Sequence, residues 1–185
     1  MKLLLPMFLL AVSPMLAQEP EWQRVRVEDP LRKTSFDSFV LEGSYLAPPA
    51  AQVSAPSLEV LCSKNKLHKA YVHFGGAIRP EPGMRSLKGN RQAKIDVRAD
   101  DRRFSEYLEI SEDRTTVSAD NIEFTELLTG HLFRQHPENE GALVHRLIIG
   151  NIDAIGVGVM IQFDMPADQQ GLISACGLAQ GKKKK

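Results

Sequence analysis

The residues that could carry chemistry in this 185-residue chain are five histidines, two cysteines and scattered carboxylates. Such side chains bind metals or move protons only where their spacing lets them converge. His68 and His73 are five apart in a strand-like stretch, so they point to opposite faces. His131 and His136 are also five apart, a poor match to one helical face, and Pro137 ends any helix there. No histidine pair has zinc-motif spacing, so no metal and no cofactor is expected. Ser174, in Leu172-Ile173-Ser174-Ala175-Cys176, lacks the glycines of a nucleophile elbow. Gly75-Gly76 runs into a loop rather than a helix and is no phosphate cradle. Asp100-Asp101, and Glu138 with Glu140, read as solvated loop charges rather than a glycosidase pair. These residues give no catalytic assignment.

One charged cluster does suggest a role. Residues 79–103 hold Arg79, Arg85, Lys88, Arg91, Lys94, Arg98, Arg102 and Arg103 against Glu81, Asp96, Asp100 and Asp101. Eight cations against four anions is a local excess, whereas the whole chain balances 23 basic with 23 acidic residues. The ordinary reading is a solvated loop with Arg–Asp pairs. The functional reading is a contact surface, centred on Arg79, Arg85, Lys88 and Arg91, for an envelope protein or an anionic envelope component. The overall neutrality gives no global attraction to nucleic acid.

The amino terminus supplies an address. Met1-Lys2, the apolar Leu3 to Val12 and the small Ala17 before Gln18-Glu19-Pro20 have the layout of a secretory signal over residues 1–17. About ten apolar residues are too few to span a bilayer as a helix, and no later segment is longer. The mature protein is therefore expected in the periplasm or secreted, with no membrane span after cleavage. In an oxidising compartment Cys62 and Cys176 are expected to pair, the other reading being two buried thiols. A loop of more than 100 residues closed in this way gains roughly 4–5 kcal/mol in the chain-entropy account. Residues 18–181 suit one domain, and Lys182 to Lys185 form a basic, solvated tail.

The elements that must position these residues are mostly strands. Trp22 to Glu28 reads as an edge strand, and Ser35 to Leu46 as strand-like but irregular. Leu58, Val60 and Cys62 share one face by period two, Lys64-Asn65-Lys66 turns, and Ala70, Val72 and Phe74 alternate again. Residues 77–94 read as a long loop. Short strands follow at Ala93 to Asp100, Tyr107 to Ile110 and Thr115 to Ser118. Asp120 with Glu123 has capping-box spacing, and Phe124, Leu127 and Leu128 form a stripe, predicting a helix over 121–133. Leu143 to Ile149 predicts a strand, and Gly150-Asn151 with Asp153 a turn. Ile155, Val157, Val159, Ile161 and Phe163 alternate cleanly, with Gly156 and Gly158 opposite, where another chain segment packs close. Gln169 to Leu178 predicts a short helix carrying Cys176. The fold class is mainly β (α+β): an antiparallel β-sandwich or curled sheet with two short helices, the last pinned by the disulfide.

Over about residues 56–176 the chain resembles the type VI secretion-associated TagO/VasI-like periplasmic family. The likeness rests on Leu58-x-Val60-x-Cys62, Val72-x-Phe74-Gly75, Val97-Arg98-x-Asp100 with Ser111-x-Asp113 after it, and Phe163-Asp164-Met165 with Gly171-Leu172 and Cys176. The long charged stretch 77–94 departs from that pattern. The resemblance implies a small exported accessory protein, β-rich and non-catalytic, with Arg98 and Asp100 maintaining the fold. The expected function is thus a binding protein of the bacterial cell envelope, associated with a secretion system, and not an enzyme. The alternative is an enzyme, or enzyme inhibitor, directed at cell-wall or secreted material. It requires residues such as His73, Asp100 and His145 to converge in one cleft.

Overall fold

The computed structural model describes residues 19–29, 34–48, 54–118, 145–152 and 158–177. Alternation of apolar and polar side chains makes ten strands: β1 (Gln23–Asp29), β2 (Thr34–Glu42), β3 (Ser44–Ala47), β4 (Ser57–Ser63), β5 (Lys66–His73), β6 (Gln92–Ala99), β7 (Arg102–Ile110), β8 (Thr116–Ser118), β9 (Arg146–Ile152) and β10 (Gly158–Asp164). Among the described residues a short helix, α1 (Gln170–Ala175), follows. All ten strands form a single sheet in the order β1-β2-β4-β5-β8-β7-β6-β9-β10-β3. Every neighbouring pair is antiparallel. Of the two expected forms, the sheet is the curled one.

The curl follows from the chain path. β2 and β3 are one run of chain interrupted only at Gly43, yet β2 pairs with β4 and β3 pairs with β10, at the far end of the strand order. A flat ten-stranded sheet cannot bring those partners to one strand. Gly43 makes the change of partner feasible. A Cβ there would lie 2.6 Å from Phe163 Cε1 and 2.9 Å from the Gln162 carbonyl oxygen. The irregular stretch expected from Ser35 to Leu46 is this bent strand.

The concave face is the core. Leu58, Val60 and Cys62 of β4, Ile95 of β6, Ile149 of β9, and Ile161 and Phe163 of β10 are fully buried. α1 caps the core with Leu172 and Ile173. Cys62 and Cys176 form the expected disulfide, their Cα atoms 5.0 Å apart across a sequence separation of 114. Cys176 caps α1 rather than lying within it, so the helix is shorter than the sequence implies. Gly158 packs as expected, since a Cβ there would meet the Asn151 carbonyl oxygen of β9.

One expectation is corrected and another refined. Gly150 and Asn151 are not a turn: they continue β9, and Asn151 is 5 % exposed. The Asn151 side chain satisfies itself by bonding a neighbouring segment, which removes the usual reason for asparagine to leave a strand. The stretch 77–94 holds no strand before β6, which begins at Gln92 rather than beyond residue 94, but it is more ordered than an open loop. It contains a buried Ile78, a small hairpin and the start of β6. The leader over 1–17, the helix over 121–133, Gly156 and the tail over 182–185 lie outside the described residues.

The disulfide constrains the unfolded chain far more than the folded one. The Cys62→Ala/Cys176→Ala protein is expected to lose about 4 kcal/mol of unfolding free energy relative to the oxidised parent. Guanidinium titration of the two proteins measures it.

Candidate functional site

The basic cluster is built on two turns. In Glu81-Pro82-Gly83-Met84 the Met84 N–H donates to the Glu81 carbonyl at 3.2 Å, and Gly83 has φ +75°. Proline followed by a positive-φ glycine is the requirement of a type II turn. The second turn is Ser86-Leu87-Lys88-Gly89. The Gly89 N–H donates to Ser86 O at 2.9 Å, and the Ser86 N–H donates to Asn90 O at 2.9 Å. Gly89 has φ +83°, as the last residue of a three-residue hairpin loop requires. Arg85 and Arg91 then bridge as antiparallel partners. Leu87 and Lys88 therefore stand at the apex of a hairpin that extends the β6 end of the sheet.

This hairpin is fixed to the body of the protein from below. The Asn151 carboxamide accepts from the Arg79 N–H at 2.7 Å and donates to the carbonyls of Arg79 at 3.2 Å and Lys94 at 3.1 Å. Ile78, 1 % exposed, plugs into the core beside it, and its N–H donates to Arg114 O at 2.7 Å. The Ile110 N–H donates to Arg91 O at 3.1 Å. Asn90 Nδ2 donates to Glu109 Oε2 at 3.0 Å. Arg79, Arg85, Lys88 and Arg91 are all exposed. Arg85 Nη1 donates to Gly89 O at 2.8 Å, which holds its guanidinium beside the apex. The structure thus gathers Arg85, Lys88 and Arg91 on one rigid projection, with Arg79 at its base.

Arg98 and Asp100 sit at the β6–β7 turn. Asp100 has φ +51°, and its carboxylate accepts the N–H groups of His145 and Arg146 at 3.0–3.3 Å. Arg98 Nε donates to Asp100 O at 2.7 Å. Asp100 thereby joins the β6–β7 turn to the start of β9. His145 Nδ1 lies 3.9 Å from Asp100 Oδ2, but its side chain is 83 % exposed.

His73 belongs to a different group. Ser38 Oγ donates to Glu59 Oε1 at 2.6 Å, His73 Nε2 lies 3.1 Å from Glu59 Oε2, and His73 Nδ1 lies 3.1 Å from Thr116 Oγ1. The chain crosses β2, β4, β5 and β8 on the outer face of the sheet. The hydrogen bond from His73 holds the Glu59 carboxyl below its usual range; burial opposes this, and the Ser38 bond adds to it. A carboxylate, an imidazole and a hydroxyl in line resemble the orienting logic of a nucleophile with its base. Here the hydroxyl is a β-strand threonine on the sheet surface, and the line ties four strands together.

Open grooves occur among the described residues. One, about 460 Å³, is lined by Glu19, Glu21, Glu42 and Asp164. A second, about 500 Å³, lies over Ile148, Ile152 and Met160 beside Arg98. The third, about 480 Å³, runs between Trp22 and Leu172. None is lined by His73, His145, Arg79, Arg85, Lys88 or Arg91. Asp100 and His145 approach each other, and His73 is tied up elsewhere. Among the described residues no three His, Cys, Asp or Glu side chains are placed to hold a metal ion. No described helix is long and apolar enough to cross a membrane. Compared with known proteins, the chain matches no family model, no curated protein and no solved structure.

Sequence reasoning missed Asn151, Ile78 and Leu87. The signals were present: a turn-forming Pro82-Gly83, a Gly89-Asn90 pair, and a lone leucine between them.

Two outcomes test this geometry. Asn151→Ala leaves one partly buried N–H and two carbonyls without this partner, so a loss of about 1–3 kcal/mol is expected. Hydrogen exchange should quicken over 78–92 and stay slow in β4 and β5. For Glu59 the folded pKa is lowered, so its contribution to stability is present above the unfolded value and lost as pH falls through the folded one. Glu59→Gln is therefore expected to cost about 1–2 kcal/mol at pH 7. The difference should begin to narrow as pH falls into the ordinary glutamate range, about 4.3, and close only below the lowered folded value, as urea unfolding across pH would show.

Proposed function

We propose that this chain is an exported, non-catalytic accessory protein of the bacterial cell envelope, and that it contacts its partner through the 79–91 projection. The observation that carries the reading is a rigid hairpin whose exposed apex gathers Arg85, Lys88 and Arg91 on a chain of balanced charge. A fixed cationic projection steers and orients an anionic partner without paying to order a loop. The Cys62–Cys176 disulfide supports export, because such bonds persist in oxidising compartments. The likeness of the core motifs to the TagO/VasI-like family supports an accessory role beside a secretion system. The Glu59–His73–Thr116 line is read as a brace between strands.

The test is retention of the oxidised protein on isolated bacterial envelopes. Charge reversal at Arg79, Arg85, Lys88 and Arg91 to Glu should abolish retention, with circular dichroism and thermal unfolding confirming an intact fold. Retention equal to that of the parent would sink this reading.

A further inference from the structure

We propose that the 84–91 hairpin is a membrane-surface finger: Arg85, Lys88 and Arg91 take anionic phospholipid headgroups while Leu87 enters the interface between them. The proposal deepens the preceding one and rests on its assignment of this hairpin as the contact surface. Leu87 is exposed to 109 % of its reference area, the fullest exposure among the large apolar side chains. Met84, on the same hairpin, is 38 % exposed, and Tyr107 is 44 % exposed on the adjoining β7. Among the described residues, three of the six exposed large hydrophobic side chains thus lie on this hairpin and the adjoining strand. Gln92 links them, taking its N–H to Met84 O and its side-chain Nε2 to Tyr107 O.

The charge pattern fits the same surface. Residues 84–91 contain three cations and no carboxylate. Of the described acids beside it, Glu109 is held by Asn90 at the foot of the hairpin, and Glu81 lies in the turn that leads into it. Arg85 uses one of its five N–H donors on Gly89 O, and the others are available to phosphate oxygens. Tyrosine is suited to the headgroup level, where one end of the ring is apolar and the other wet. The Asn151 clamp prepays the ordering of the finger.

A protein partner fits less well. Stable protein interfaces bury about 800 Å² on each side around a packed centre. One leucine at the apex of a two-stranded hairpin offers no such centre. In a fluid lipid surface the same leucine needs only to slip between headgroups, and each flanking cation finds its own phosphate. Each basic side chain near an anionic surface multiplies partitioning about fivefold, so three together give about a hundredfold. Inserting the leucine adds about tenfold.

The experiment sediments the full oxidised chain with vesicles of phosphatidylcholine, with and without phosphatidylglycerol. Binding is expected only where phosphatidylglycerol is present and is expected to fall as salt rises. It should drop about a hundredfold in Arg85→Gln/Lys88→Gln/Arg91→Gln and about tenfold in Leu87→Ser. Equal binding to both vesicles, or a Leu87→Ser protein that binds like the parent, overturns the finger. Absence of vesicle binding, with envelope retention still dependent on the hairpin charges, overturns the lipid ligand and leaves an acidic protein or glycan as the partner. Absence of vesicle binding together with charge-independent envelope retention overturns this proposal and the functional reading beneath it.

Discussion

A strand that must pair with two distant partners governs this molecule. The run from Thr34 to Ala47 gives its first part to β4 and its last part to β10, although those strands stand far apart in the sheet. The hydrogen bonds of both parts are satisfied only if the sheet rolls until β10 reaches the end of β2. Gly43 is where the strand changes partner, and Phe163 fills the space that a side chain there would take. Curling then creates the concave face that buries Leu58, Val60, Ile95, Ile149 and Ile161 together. Burial of apolar area drives folding, but the two-sided strand decides which shape does the burying.

The disulfide and the hairpin are consequences of that shape at opposite places in the fold. Cys176 reaches Cys62 because α1 buries Leu172 and Ile173 in the core and the residue after Cys176 lies against Asn65, in the turn that follows β4. The bond encloses 114 residues of sequence separation, and the basic hairpin lies within that span. The hairpin gains its rigidity separately, from β9. Asn151 is a buried polar side chain, and such a group is costly unless its bonds are made. It makes three of them to the segment entering the hairpin and to β6. A residue that satisfies itself only when Arg79 is in place is a strong specifier of where the projection stands.

The strands with one face buried were readable because period-two alternation is a direct imprint of burial. β4, β5, β6 and β10 follow it over nearly their whole length. The Cys62–Cys176 pair was readable from the number of cysteines together with the signal-like pattern of residues 1–17. Where the sequence misled, a polar residue was acting through tertiary contacts. Asn151 after Gly150 has the local signature of a turn, but its pairing with Val159 of β10 and its bonds to the distant Arg79 and Lys94 backbone keep it in a strand. The hairpin at 84–91 was masked because its own sheet bonds are few and its apolar side chains face outward, the reverse of the pattern that marks a strand. β3 was hidden as a separate element because a change of partner leaves no trace in hydrophobicity. The cations at Arg85, Lys88 and Arg91 were visible as a cluster, but their union on one rigid apex was not.

Charge also divides the surface by role. On the outer face of β2, β4, β5 and β8, titratable groups are consumed by one another: Ser38, Glu59, His73 and Thr116 form a continuous line. At the β6–β7 turn, Asp100 spends its oxygens on backbone N–H groups. These groups hold strands, and a group engaged on several sides must break those bonds before it can serve another partner. On the hairpin the balance is reversed. The backbone there is internally bonded through its two turns, so the side chains of Arg85 and Arg91 are not needed to keep it folded. The fold is stabilised by satisfied polar lines on the sheet, and the projection by the backbone bonds within its two turns.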